Sequence, residues 1–272
     1  MSAVCFASVF KDYAGKSVLE KIDLEVRAGE FCTLVGPSGC GKTTMLRLLL
    51  GQTAPSRGSI TVDGEPLAEE PGPDRGIVFQ RYSVFPHLSV RDNVVLGLEL
   101  RRARWLGRLF GRARRAAVEE ALACLDDVGL AGVRDAWPAA LSGGMQQRLA
   151  LAQTLILRPK ILLLDKPFGA LDPGIRADMH VLLRRLWQAE GMTVFMVTHD
   201  LGEAFALGTR VLVFDKLRRD PTDPDAYGAG IVYDLPLKTP STGPPAAAAA
   251  PRPSPTSSHG EAHAQRFAPA PR

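Results

Sequence analysis

Gly36-Pro37-Ser38-Gly39-Cys40-Gly41-Lys42-Thr43 fits G-x-x-x-x-G-K-[ST] at every fixed position. The apolar run Phe31–Val35 before it reads as a buried strand. Lys42–Leu50 after it reads as a helix closed by Gly51. Glycines in this arrangement let the backbone curl so that its N–H groups point inward at phosphate oxygens. The start of the following helix adds positive potential at the same place. Lys42 is then placed to reach β- and γ-phosphates, and Thr43 to offer its hydroxyl to Mg2+. Such a site needs an apolar strand ending in a carboxylate. Ile161-Leu162-Leu163-Leu164-Asp165 supplies one, with Asp165 holding Mg2+ directly or through water.

Outward from this pair, residues 3–10, 22–26, 59–62 and 76–79 read as strands, with turn chemistry at Asp63-Gly64 and Pro71-Gly72-Pro73. Residues from about 87 to 157 lack strand signals and read as helices. Pro173 suits the first turn of a helix running to about Glu190. Residues 193–197 and 210–214 are two more apolar strands. The expectation is an α/β chain: a P-loop nucleotide-binding core, a β-rich N-terminal subdomain and a helical insertion subdomain, all within residues 1–238. Residues 239–272 are rich in Pro, Ala and Ser and are expected to form a disordered tail.

Net charge is +4, from 33 basic and 29 acidic residues. Much of the excess sits in the tail and in Arg101, Arg102, Arg104, Arg108, Arg112, Arg114 and Arg115. No aromatic stacking platform accompanies that charge, so nucleic acid is not indicated. Trp105, Leu106, Leu109 and Phe110 are spaced to share one helical face. That face could lie near anionic lipid or transport subunits, or pack on its own lobe. Cys5, Cys32, Cys40 and Cys124 form no C-x-x-C pair or zinc spacing and read as reduced thiols. No apolar run approaches the roughly 18–20 residues of a membrane span. No signal-peptide pattern opens the chain. A cytoplasmic protein is expected, reaching a membrane only through partners.

Leu141-Ser142-Gly143-Gly144-Met145-Gln146-Gln147-Arg148 lies between the two phosphate-site elements and opens a helical pattern. It resembles the signature of ABC-type ATPases. That resemblance implies that Ser142, Gly143 and Gly144, flanked by Leu141, Met145 and Gln146, meet the γ-phosphate of ATP bound to a second cassette. Other marks follow in order. Tyr13 stands at the adenine-stacking position, and Gly36 to Thr43 with Thr44 bind ATP. Gln80 matches the glutamine loop that touches Mg2+ and the transport subunits. Leu171 and Asp172, in Gly169-Ala170-Leu171-Asp172, resemble the dimer-contact loop. His199 matches the switch histidine at the γ-phosphate. The resemblance implies ATP and Mg2+ as cofactors. It implies as partners a second cassette, alike or different, transmembrane permease subunits and, indirectly, a solute-binding protein. The place implied is the cytoplasmic side of the cell membrane.

Within the family, Phe168-Gly169-Ala170-Leu171-Asp172-Pro173 and Met145-Gln146-Gln147-Arg148 resemble importers of the nitrate, sulfonate and taurine class. Residues 213–216, 227–228 and 233–235 resemble members tied to urea- or guanidine-type nitrogen metabolism. ABC ATPases of DNA repair carry a long coiled coil between cradle and signature, and those of translation usually carry two cassettes; neither feature is present here. One departure stands out. The family places a glutamate after Asp165, as general base or water-orienting group, and this chain has Lys166. An ammonium donates and cannot accept. Beside phosphates it stays charged. Lys166 is therefore expected to leave ATP binding intact or to strengthen it while hydrolysis is slow, with His199 retaining some turnover.

Overall fold

The computed structural model describes residues 3–80, 83–103, 107–218, 222 and 226–237. The chain divides into Met1–Lys238 and Thr239–Arg272. The tail expected over 239–272 lies outside the described residues, as do Arg104, Trp105 and Leu106. In chain order the elements are β1 (Val4–Tyr13), β2 (Lys16–Val26), β3 (Phe31–Val35), α1 (Lys42–Leu50), β4 (Arg57–Val62), β5 (Glu65–Pro66) and β6 (Arg75–Val78). Then follow α2 (Val90–Arg102), α3 (Gly111–Asp127), α4 (Gly143–Leu155), β7 (Ile161–Asp165), α5 (Pro173–Glu190), β8 (Thr193–Val197), α6 (Leu201–Leu207), β9 (Arg210–Asp215) and β10 (Gly230–Pro236).

Two sheets form. The first is antiparallel with order β2-β1-β4-β5; the second has order β10-β9-β3-β8-β7-β6, parallel from β9 to β6 with β10 antiparallel at the edge. The central strands are buried and mostly apolar because both faces are covered. Successive side chains split between two cores. Leu162, Leu164, Val194 and Met196 join one with α2 to α5. Ile161, Leu163, Phe195 and Val197 join the other with α1 and the first sheet. Helix α1 is wedged in that second core by fully buried Met45, Leu46, Leu48 and Leu49. It stops where Gly51, at φ 79°, donates back to Leu48 O at 3.0 Å.

The helical insertion forms as expected, with no strand among described residues between 83 and 160. Of the helical face expected over Trp105, Leu106, Leu109 and Phe110, only the last two are described, and residues 107–110 are not helical: α2 ends at Arg102, Gly107 is left-handed at φ 61°, and α3 starts at Gly111. Leu109 packs on the core while Phe110 is 68% exposed, so the two do not share a face. The arginines that have partners bind their own lobe: Arg102 grips Glu120 at 2.7 and 2.8 Å, Arg101 donates to Leu157 O at 2.8 Å, and Arg114 approaches Asp92 at 3.4 Å. Two strands run longer than their patterns suggest. β1 and β2 meet in a two-residue hairpin at Ala14 (φ 47°) and Gly15 (φ 83°). Register shifts along β1 break the alternation that would have marked its full length.

Candidate functional site

The phosphate cradle runs from the end of β3 into α1, and its glycines each answer a separate constraint. A β-carbon on Gly36, at φ 140°, would stand 2.1 Å from Phe214 O. One on Gly41, at φ 79°, would stand 2.5 Å from Leu19 Cδ2. Gly39 has open space but φ 83°. Pro37, Ser38 and Gly39 are exposed at the rim, while Cys40 and Lys42 are buried. Lys42 Nζ donates to Gly36 O at 2.8 Å and Pro37 O at 2.7 Å, with Cys40 Sγ at 3.1 Å. The ammonium therefore sits within the loop, next to the backbone that a phosphate would face. Thr44, half-buried, follows in the first helical turn.

Thr43 Oγ1 donates to Asp165 Oδ2 at 3.0 Å, joining the cradle to the end of β7. Asp165 Oδ1 is buried and has no hydrogen-bond partner. A buried carboxylate oxygen of this kind calls for a cation or a water. A hydroxyl and a carboxylate are hard oxygen donors, and Mg2+ is held by one or two such groups with phosphate oxygens completing its shell. Thr43 and Asp165 thus fit Mg2+. No group of three or more His, Cys, Asp or Glu gathers elsewhere among the described residues.

The loop after β7 turns at Lys166, whose φ is 49°, and its N–H donates to Val197 O at 2.9 Å. Sheet order does the rest. β7 lies between β6 and β8, so the loops leaving their C-terminal ends come together. A β-carbon on Gly169 would meet Gln80 Nε2 at 3.7 Å, Lys166 O at 3.7 Å and His199 Cε1 at 3.8 Å. Gln80, Lys166 and His199, expected in one site from three distant segments, are thus brought together. Tyr13 ends β1, 41% exposed, with Lys11 Nζ 4.7 Å above its ring. It lines a hollow of about 590 Å³ with Arg47, Gln52, Thr53 and Phe79.

The signature forms a helix start of its own. Ser142 caps α4 by accepting from Met145 N at 3.4 Å, and Ser142 and Gly143 are exposed. Gln146 Nε2 steadies the preceding turn by donating to Pro138 O at 3.0 Å and Leu141 O at 3.3 Å. Gly144 is buried, and a β-carbon there would come 2.5 Å from Ile175 Cγ2 in α5. Leu171, nearly buried, accepts from Arg176 at 3.1 Å. Asp172 is exposed at the N-terminus of α5 and its side chain caps nothing. Among the described residues, no hydrogen bond joins 141–146 to the cradle.

Two of the cysteines are held as thiols. Burial pushes the Cys32 thiol well up and the Cys124 thiol up to about 12. The sequence reading passed over Thr198, Glu203 and His180, which form a hydrogen-bonded group behind His199. Their one visible signal is Asp200-Leu201-Gly202-Glu203, a capping pattern ahead of α6.

A family described as ABC transporter matches residues 19–169. An aliphatic sulfonates import ATP-binding protein of Yersinia pestis is 43% identical over 233 residues, covering 86% of this chain and 77% of that protein. An uncharacterised ABC transporter ATP-binding protein of Methanocaldococcus jannaschii is 46% identical over 195 residues, covering 72% of this chain and 69% of its own. A solved dimeric ATP-binding cassette in a post-hydrolysis state, bound to ADP and Pi, superposes with a TM-score of 0.68 at 29% identity, covering 86% of this chain and 99% of that one. No helix among the described residues is long and apolar enough to cross a membrane.

Proposed function

Because the chain belongs to the ABC transporter family, we propose that it is the ATP-binding subunit of an importer, one of two cassettes that close around ATP and Mg2+ to move transmembrane permease subunits. The observation that carries this reading is the Thr43–Asp165 contact at 3.0 Å with Asp165 Oδ1 left over. It joins the cradle to the carboxylate that a magnesium nucleotide requires. Lys42 and the inward N–H groups of the cradle bind the phosphates, and Tyr13 receives the base. Thr43 and Asp165 would hold Mg2+, which would supply positive charge against the phosphates.

Closure uses the exposed start of α4. Ser142 and Gly143 are exposed there, so the helix start is open to an anion. In the proposed pair they complete the partner's site, and Leu171 and Asp172 line the contact between cassettes. Gln80 and His199, gathered at Gly169, report the terminal phosphate to the permease side. The subunit acts from the cytoplasmic face, and its partners choose the solute. The sulfonate-import relative supports a small anionic organic solute over the urea- or guanidine-type one.

Lys166 favours a second, narrower reading of the same site. It supplies no acceptor for the attacking water. This copy then holds ATP and hydrolyses it slowly, and a different, competent cassette completes the pair. Equilibrium titration with ATP and with ADP, with and without Mg2+, tests the binding that both readings share, and light scattering tests pairing of this chain with itself. Mg2+-dependent ATP binding and an ATP-driven doubling of mass are expected. Nucleotide binding that ignores Mg2+, or none at all, overturns the assignment.

A further inference from the structure

Behind His199 lies a set of buried polar groups that nucleotide binding does not use. Thr198 is 2% exposed and Glu203 6%. The Thr198 hydroxyl donates to Glu203 Oε2 and accepts from Asp200 N at 3.1 Å. Glu203 N donates to Asp200 Oδ1 at 3.1 Å, and Asp200 Oδ2 lies 3.4 Å from Arg176. Thr198 N donates to Leu34 O at 3.1 Å, tying this loop to the strand that feeds the cradle. Both neighbours of His199 are therefore fixed while its own ring stays exposed.

The other oxygen of Glu203 reaches a different helix. Glu203 Oε1 accepts from His180 Nε2 of α5 at 3.1 Å. The His180 ring meets Phe168 edge-on at 5.1 Å, and Phe168 is fully buried two residues beyond Lys166. The series Phe168, His180, Glu203, Thr198 thus links the Asp165–Lys166 loop to the His199 loop without passing through the nucleotide. Helix capping explains why a Glu follows Asp200 by three positions. It does not explain why that Glu is buried and shared with an imidazole from α5. A buried carboxylate is stable only when hydrogen-bonded. Each partner here belongs to an element that carries or adjoins a nucleotide-site residue.

We propose that Glu203 and His180 are positioning residues that hold His199 in register with the Asp165–Lys166 loop and so set how strongly the site prefers ATP to ADP. This rests on the reading above in which His199 meets the terminal phosphate. With a lysine at position 166, that contact is the chain's own remaining group beside the attacking water, so its placement matters more. The contact is absent for ADP, which lacks the terminal phosphate.

The test is calorimetric binding of Mg-ATP and Mg-ADP to the full chain, with thermal unfolding measured in parallel. The ATP/ADP affinity ratio is expected to fall about tenfold in His199→Ala, the loss of one hydrogen bond to a charged group. His180→Leu and Glu203→Ala are expected to lower it similarly, through ATP alone, with ADP affinity held. Glu203→Gln keeps an acceptor for Thr198 and is expected to keep most of the ratio. If Glu203→Ala does not fold, His180→Leu, a change on a partly exposed helix face, carries the test. An unchanged ratio in His180→Leu, with His199→Ala lowering it, overturns the positioning role. So does a parallel fall of ATP and ADP affinity with the thermal midpoint, which marks a purely structural contact. A ratio unchanged in His199→Ala sinks the underlying reading of His199 itself.

Discussion

Exchanging Lys166 for Glu and for Gln isolates the one chemical departure in the site. The backbone there is held by Lys166 N on Val197 O at 2.9 Å and by Gly169 N on Lys166 O at 3.4 Å. Its φ of 49° strains lysine, glutamate and glutamine alike. Stability should therefore move by no more than about 0.5 kcal/mol. What changes is charge and acceptor capacity one residue from the carboxylate that meets Thr43. A unit charge about 6 Å from a phosphate at an effective dielectric near 20 is worth about 3 kcal/mol. Lys166 is only half-buried, and solvent screening cuts that to about 1–1.5 kcal/mol per unit. ATP affinity should thus weaken about tenfold in Lys166→Gln and up to about a hundredfold in Lys166→Glu. Turnover behaves differently. A placed general base contributes about 10²–10⁴-fold, so Lys166→Glu should hydrolyse faster by that order while Lys166→Gln stays slow. Single-turnover phosphate release at saturating Mg-ATP, beside equilibrium binding, reads both quantities. If Lys166→Gln matches Lys166→Glu, loss of positive charge is what counts, not gain of an acceptor. If the natural chain matches Lys166→Glu, the argument fails, and His199 is the first suspect for placing the water.

Three other outcomes follow from particular contacts. Thr43→Val removes the donor to Asp165 and a metal ligand; the Mg2+-dependent part of ATP affinity should fall at least about tenfold in paired titrations, while binding without Mg2+ holds. Gly144→Ala drives a β-carbon to 2.5 Å from Ile175 Cγ2 and should cost about 1–3 kcal/mol by urea unfolding, with Ile175→Ala regaining part of it. Arg102→Met should cost less than about 1 kcal/mol at neutral pH and less still in high salt, because the Glu120 pair is exposed. The Arg102 hydrogen bonds hold the Glu120 carboxyl below its usual range. That contribution is complete above the ordinary glutamate pKa and is lost as pH falls through the lowered one, so unfolding curves of the two proteins should converge in acid.

Parts of this architecture are legible in the residues because burial on both faces leaves a plain apolar run. β3, β7 and β8 are such runs, and α1 is bounded by glycines whose left-handed φ stops it at each end. The edges are not legible in the same way. β10 pairs on one side only and exposes Tyr233 (65%) and Leu235 (41%), so its pattern does not stand out from a loop. α6 has seven residues, too few for a helical period to show. At Leu109 and Phe110 the apolar spacing suggests a helix, but Phe110 is extended and α3 starts only at Gly111. Asn93 is a further case. It is 1% exposed, donates to Phe85 O, Leu88 O and Ser89 O, and accepts from Phe85 N and Gln153, yet a lone Asn carries no signal in sequence. In the site, motifs reveal residue types and their order. The meeting of Gln80, Lys166 and His199 at Gly169 depends on β6, β7 and β8 being neighbours, which only long-range pairing decides.

The groups around Lys166 differ in what they act on. In the proposed function the cradle, Thr43 and Asp165 act on the bound nucleotide, and the cradle turn and the Thr43–Asp165 contact are in place. Ser142 to Gly144 act, in the proposed pair, on the partner's nucleotide, and the start of α4 is likewise formed and exposed. Position 166 is where the family's water-activating carboxylate is expected, and here its side chain offers no acceptor. Replacing its carboxylate therefore separates holding ATP from consuming it within one site, and leaves this chain's service to the other site untouched. In a pair of identical chains both sites lose the acceptor together. In the mixed pair of the second reading above, the partner's site would keep its own acceptor and receive the signature of this chain, so that one site would turn over while the other stays loaded. On that reading the lysine that weakens a homodimer as a motor suits this chain to a pair with one hydrolysing and one retaining site.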